Sequence, residues 1–154
     1  MFIKSESIHK LKELSSDYCF DIVGFFPECK FGKENYPAGE IHLKVGFQNE
    51  RELHNGFGLL HIICGSHQND PLFSNVTEPN DIADLLKKSL KKHSPIYAEQ
   101  KGRFIVISTN SVKIVLSYDD ILEVYSVITC HSITNKYNRT KHGNIIGRIK
   151  KDLN

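Results

Sequence analysis

The hydrophobic pattern changes along the chain from helical periodicity to alternation. Apolar residues recur at helical spacing over 3–15, and a second apolar stretch over 55–64 predicts another helix in spite of its glycines. The clearest helical period covers 81–93, where an apolar stripe follows one face and lysines fill the C-terminal half. We expect Asn80 or Asp81 to cap this helix.

Apolar or alternating runs of strand length occur at six places in the sequence. They cover residues 18–26, 41–47, 95–100, 103–109, 112–118 and 122–130. Polar turns at 109–111 and 119–121 predict that the last three runs form consecutive antiparallel strands. We therefore expect an α+β fold, in which an N-terminal helical lobe packs on a C-terminal antiparallel sheet of about four strands.

The strand register can be predicted if both turns are three-residue loops. Position 108 then pairs with 112, position 118 pairs with 122, and alternation assigns each side chain to a face. One face would carry Arg103, Ile105, Ile107, Lys113, Val115, Ser117, Glu123, Tyr125, Val127 and Thr129. The opposite face would form the core with Phe104, Val106, Ile114, Leu116, Leu122, Val124 and Ile128.

Length and composition fit a single domain over residues 1–154. The N terminus lacks the features of a signal peptide, and no apolar run is long enough for a membrane span. The four cysteines are scattered without a C-x-x-C pair, which is typical of reduced thiols. We therefore expect a cytoplasmic protein.

Charge is divided unevenly between the two halves of the chain. Residues 1–77 carry a net charge of −3 and residues 78–154 carry +5. Such asymmetry suits an anionic partner held by the second half, although lysine-rich helices and tails also occur for solubility alone. If the partner is RNA, the expected binding residues are Lys87, Lys88, Lys91, Lys92, Lys136, Arg139 and Lys141.

His61 interrupts the otherwise apolar segment 57–64. A buried imidazole costs free energy unless it is hydrogen-bonded, so His61 is either a satisfied core residue or a functional group. His67 follows six residues later, a spacing that does not share one helix face. The two imidazoles converge only if the helix ends near Gly65 and the chain turns back.

The motif inventory points away from several enzyme classes. The histidine spacing is not that of a zincin, and the chain has no P-loop, dinucleotide fingerprint or G-x-S-x-G elbow. We therefore expect no metal and no cofactor. Metal-independent RNA cleavage remains, in which imidazoles transfer protons and cations or hydroxyls stabilise the phosphorane. The residues that would supply such a set are His61, His67, Arg103, Lys113 and Thr129.

Several short motifs, in this order, resemble the barnase–EndoU–colicin–RelE superfamily of nucleases and especially its phage and polymorphic-toxin branch. They are the segments 39–46, 56–63 with His67, 102–107, 113–116 and 125–129. The resemblance implies a nuclease core at 39–130, flanked by an N-terminal elaboration at 1–38 and a basic C-terminal extension at 131–154. It implies that His61 and His67 are catalytic, that Arg103 or Lys113 is the cation, and that Thr129 supplies a hydroxyl. The sequence departs from the branch pattern after Thr129, where Cys130 and His131 follow.

The expected function is therefore that of a metal-independent endoribonuclease and growth-inhibiting toxin. Its products would carry 2′,3′-cyclic phosphate and 5′-hydroxyl ends, its target would be tRNA or mRNA, and its partner would be a cognate antitoxin or immunity protein. Two alternatives remain open at this point. One is a non-catalytic RNA-binding module, and the other is the antitoxin or immunity member of such a pair.

Overall fold

The structure is a computed structural model that describes residues 1–108, 111–133 and 143–152. Its helices are α1 (Ser5–Lys12), α2 (Gly58–Cys64) and α3 (Pro79–Ser89), with a short 3-10 helix at Pro71–Phe73. Within these residues, no helix is both long and apolar enough to cross a membrane. The strands are β1 (Cys19–Phe26), β2 (Cys29–Phe31), β3 (Glu34–Tyr36), β4 (Gly39–Lys44), β5 (Phe47–Gln48), β6 (Gly56–Phe57), β7 (Pro95–Gln100), β8 (Arg103–Ile107), β9 (Val112–Asp119), β10 (Val124–Ser132) and β11 (Ile145–Arg148).

Seven strands form one mixed sheet in the order β1-β4-β10-β9-β8-β7-β11. The neighbours pair antiparallel except for β4 and β10, which are parallel. The sheet curves into a half-barrel, and an isolated bridge joins β1 to the residues after β11. In that bridge the Lys150 N–H donates to the Phe25 carbonyl over 3.1 Å.

The expected helical lobe on a four-stranded sheet is wrong. The strands β1 and β4, from the half of the chain assigned to the lobe, lie in the same sheet as β7 to β10. The physical reason is that α1 and α2 have only 8 and 7 residues and cannot bury a lobe of their own. Strand β1 instead pairs with β4 and buries Val23 and Phe26 in the core. Strand β11, within the segment expected to be a basic extension, pairs with β7.

The main core fills the concave side of the sheet. Phe26 stacks on Tyr125 with ring centroids 3.9 Å apart, and Phe104 packs beside both. The helices contribute apolar side chains to the same cluster, among them Leu59, Ile62, Ile82 and Leu86. We call the opposite side of strands β8, β9 and β10 the outer face; it carries Arg103, Ile105, Ile107, Lys113, Val115, Ser117, Thr129 and His131.

The predicted register of β8 and β9 is confirmed, since Ile107 pairs with Lys113 and Arg103 with Ser117. The predicted register of β9 and β10 is wrong, because the connecting loop is longer and Val124 pairs with Asp119. Tyr125 and Val127 therefore lie in the core, whereas Leu122 is 64% exposed. A bulge between Val127 and Thr129 then restores the alternation, so that Thr129 lies opposite Val115 on the outer face as expected.

The bounds of α3 differ from the expected 81–93. The cap residue is Glu78 rather than Asn80 or Asp81, because Asp81 stands at N3 and accepts hydrogen bonds from the Glu78 and Thr77 backbone. The helix ends at Ser89, so Lys91 and Lys92 follow it.

Candidate active site

Helix α2 places His61 where β4 and β10 separate. These strands pair only through Ile41 with Tyr125 and His42 with Ser126, and α2 packs against both strands. The Leu60 N–H donates to the carbonyl of Val45 over 2.9 Å, which fixes the helix beside the end of β4. His61 is only 5% exposed.

A hydrogen bond to Gln48 determines how the His61 imidazole is oriented. Nδ1 of His61 lies 2.6 Å from Oε1 of Gln48, and Nε2 of Gln48 donates to the Asn49 carbonyl over 2.7 Å. Because the amide nitrogen is already used, the amide presents its oxygen to the ring, and Nδ1–H of His61 is the donor. In the neutral ring Nε2 then carries the lone pair.

Two glycines leave room for the Gln48–His61 pair. A Cβ on Gly65 would lie 2.8 Å from both the amide oxygen and the ring nitrogen of that pair. A Cβ on Gly56 would likewise lie 2.8 Å from Nδ1 of His61. Gly56, one of the glycines that weaken the helix prediction over 55–64, and Gly65 therefore allow the close approach of the β5–β6 hairpin to α2.

Asp70 ties the loop after α2 to the end of β10. Its carboxylate accepts hydrogen bonds from the backbone N–H and the hydroxyl of Ser132, at 3.0 and 2.8 Å, and from the Leu72 N–H at 2.9 Å. Burial alone would raise the pKa of this carboxyl, but these hydrogen bonds outweigh burial and lower it. The tie brings His67 onto His131, and their rings stack with centroids 4.2 Å apart.

Four imidazoles from separate segments influence one another electrostatically, and we call them the histidine cluster: His54, His61, His67 and His131. Of these, the rings of His67 and His131 are in direct contact. Burial lowers the pKa of His61 below its ordinary value of 6.5, and charge on His67 and His54 lowers it further. Burial also lowers the pKa of His67, and charge on His131 lowers it further. The Asp70 carboxylate raises this pKa, but by less than the two other effects lower it. Burial, reinforced by repulsion among the imidazoles, therefore favours the neutral forms of His61 and His67.

The structure brings some of the other expected site residues to this cluster and not others. Lys113 pairs across the sheet with His131, and its charge contributes to lowering the pKa of His67. Thr129 lies on the same outer face, two residues before His131 on β10. Arg103 lies at the opposite end of β8 and forms an ion pair with Glu99 at 3.5 Å. Lys113 is therefore the cation beside the histidines.

The expected RNA-binding residues are divided between two surfaces. Lys87, Lys91 and Lys92 line one groove with β1, and Lys88 lines another beside Asp81 and Asp84. The expected residues Lys136, Arg139 and Lys141 lie outside the described residues.

An open cavity of about 480 Å³ adjoins the Gln48–His61 pair. Gln48 lines it together with Phe47, Leu53, Leu60 and Lys12. Phe47 and Leu53 are nearly half exposed there, so a planar apolar group could pack against them.

The cysteines and metal-ligating side chains form no further site in the described ranges. No group of three or more His, Cys, Asp and Glu residues there is arranged to hold a metal ion. All four cysteines are free. Burial raises the pKa of each thiol, to about 11 for Cys29 and about 12 for Cys130, so these groups are protonated at neutral pH.

Several members of this constellation do not stand out in the sequence. His131 could be found from the sequence, because it lies two residues after Thr129 and strand alternation therefore places both residues on the same face. Gln48 and Asp70 carry no such signal, because their roles depend on contacts with residues 13 and 62 positions away.

No family model, no curated protein and no solved structure matches this chain. The resemblance to the nuclease superfamily therefore stays a prediction from the order of its short sequence motifs.

Proposed function

We propose that the protein is a metal-independent endoribonuclease whose active site is the histidine cluster. The observation that carries this proposal is an oriented imidazole, His61, that is coupled electrostatically to His67, together with the stacked pair His67–His131 beside the cation Lys113. Transesterification by a ribose 2′-hydroxyl needs a base, an acid and a cation at one place, and these groups supply all three. The sequence resemblance to toxin nucleases supports the same class.

His61 is the general base in this proposal. Its Nε2 lone pair takes the proton from the 2′-hydroxyl, and the 2′-oxygen forms a bond to the adjacent phosphorus. Gln48 stabilises the resulting imidazolium through the Nδ1–H bond. A pKa below the ordinary value keeps the base deprotonated at neutral pH.

His131 is the general acid, with His67 stacked on it. Its Nδ1 donates to the Ser132 carbonyl over 2.9 Å, which leaves Nε2–H of the charged ring for the substrate. As the bond from phosphorus to the 5′-oxygen breaks, this proton passes to the departing oxygen. The products are a 2′,3′-cyclic phosphate and a 5′-hydroxyl. Lys113 and the Thr129 hydroxyl stabilise the charged phosphorane between these steps.

The proposed cellular role is that of a growth-inhibiting toxin acting on tRNA or mRNA and held in check by an antitoxin or immunity protein. This role follows from the resemblance and from the hazard that an RNase poses to the cell that makes it.

Incubation of purified protein with total RNA in excess EDTA tests the proposed chemistry. We expect cleavage that chelation does not reduce, products that carry 2′,3′-cyclic phosphate, and no cleavage of the same sequence with 2′-deoxyribose at the scissile position. Cleavage that stops in EDTA and returns with a divalent ion would contradict the proposal. Intact RNA over a full range of RNA types would instead favour the non-catalytic alternative.

The pH dependence and the leaving group separate the base from the acid. Because the pKa of His61 is lowered, the rising limb of kcat/KM should have its midpoint below pH 6.5, where the base loses its proton. A substrate with a 5′-bridging sulfur needs no acid, so it should restore cleavage by His131→Gln but not by His61→Gln. Rescue of both variants, or of neither, would contradict the assignment.

A further inference from the structure

The groove lined by Lys87 is also lined by lysines near the C-terminal end of the described chain. It has a volume of about 340 Å³ and lies between β1, the C-terminal end of α3 and residues 150–151. Its lysines are Lys87, Lys91, Lys92, Lys150 and Lys151. We call it the lysine groove.

Two backbone contacts build this groove from segments distant in sequence. A Cβ on Gly24 would lie 3.2 Å from the Cβ of Leu90, so the glycine lets the end of α3 approach β1 closely. Leu90 is buried there, and Lys91 and Lys92 follow it. On the other side, the bridge from Lys150 to Phe25 holds residues 150–151 against the same strand.

Among the described residues, an ion pair neutralises one of the five lysines in the groove. Lys87 lies 2.7 Å from the Asp21 carboxylate, which neutralises it. In the part of the chain that the structure describes, the other four lysines have no carboxylate within 4.0 Å. Asp152 is the acidic residue that follows them in sequence. Gathering like charges in this way costs electrostatic repulsion, which an anionic ligand relieves.

The helix end explains only part of this arrangement. Lysines near a helix C terminus stabilise the helix dipole, which accounts for Lys87, Lys91 and Lys92. It does not account for Lys150 and Lys151, which reach the groove from another segment. Four cations along an open groove match the repeating charge of a phosphodiester backbone.

We infer that the lysine groove binds the phosphate backbone of RNA outside the histidine cluster. The identity of the ligand as RNA rests on the proposed function, whereas the groove itself is separate from the catalytic residues. A substrate that occupies both sites must be longer than a dinucleotide, so the groove selects for long RNA through binding and leaves the chemical step unchanged.

Binding of a fluorescent 2′-O-methyl RNA, which cannot be cleaved by 2′-hydroxyl attack, tests the groove without turnover. The double variant Lys91→Glu/Lys150→Glu should weaken binding at least tenfold at about 0.1 M salt. It should also reduce the slope of log affinity against log salt by about 1.4, at about 0.7 per lost phosphate contact of a single strand. The matched control, Lys30→Glu/Lys33→Glu, makes the same charge change at two exposed residues of the β2–β3 hairpin and should weaken binding less than threefold.

If the groove variant and the control lose RNA affinity equally, binding depends on net charge and the inference is overturned. Competition by polyglutamate as strong as that by unlabelled RNA of equal charge would overturn RNA as the ligand. In cleavage assays the groove variant should raise KM for long RNA and leave dinucleotide cleavage unchanged. The binding assay needs no turnover. If the protein binds RNA in the groove but cleaves none, the proposed ribonuclease function is refuted and the inferred RNA site in the groove stands.

Discussion

Replacing His61 with alanine should reduce single-turnover RNA cleavage by about 100- to 10,000-fold, which is the usual contribution of a general base. The variant should remain folded, because α2 keeps its apolar contacts through Leu59, Ile62 and Ile63. It loses the hydrogen bond to Gln48, so the free energy of unfolding should fall by about 1–3 kcal/mol. RNA affinity should change little, since the lysine groove does not include residue 61.

The measurement pairs a melting temperature with cleavage per folded molecule on one preparation. His9→Ala is the matched control, because His9 is exposed on α1 and should leave both quantities unchanged. If His61→Ala melts well below the wild type yet cleaves at an undiminished rate, His61 is a core residue satisfied by Gln48 and the mechanism is wrong.

The strands could be predicted from the sequence because their signal is local. Alternation and turn residues indicate β1, β4 and β7 to β10 within a few residues. Which strands are neighbours is not local information. The parallel pairing of β4 with β10 depends on contacts across more than 80 residues, and it adds β1 and β4 to the expected four strands. The seventh strand, β11, joins at the other edge through β7.

The candidate site likewise divides into residues with a local sequence signal and residues placed by non-local contacts. His61 stands out because a histidine in an apolar run requires an explanation, and Lys113 follows from the register of β8 and β9. Thr129 reaches the outer face through two opposing deviations, a longer loop and a bulge, that no alternation pattern contains. Arg103 shares that face but lies too far along β8, because a face assignment does not give the position along a strand.

Gln48 gives the sharpest test of whether the orientation of His61 matters. Gln48→Leu fills similar space but cannot accept the Nδ1–H bond, so the ring loses both its fixed tautomer and its position. A misplacement of about 1 Å can cost about 100-fold in rate, and we expect a loss of that order in kcat with KM for long RNA nearly unchanged.

Gln48→Glu changes the charge and keeps the acceptor. A carboxylate beside the imidazole favours its charged form and raises the pKa of His61, so the base becomes neutral only at higher pH. The rising limb of kcat/KM should therefore move to higher pH, while the rate at the new optimum stays within about tenfold of the wild type. A structural role for the pair predicts lower melting temperatures in both variants and an unmoved pH profile. A pH profile that stays in place in Gln48→Glu, together with full activity in Gln48→Leu, would remove His61 from the mechanism.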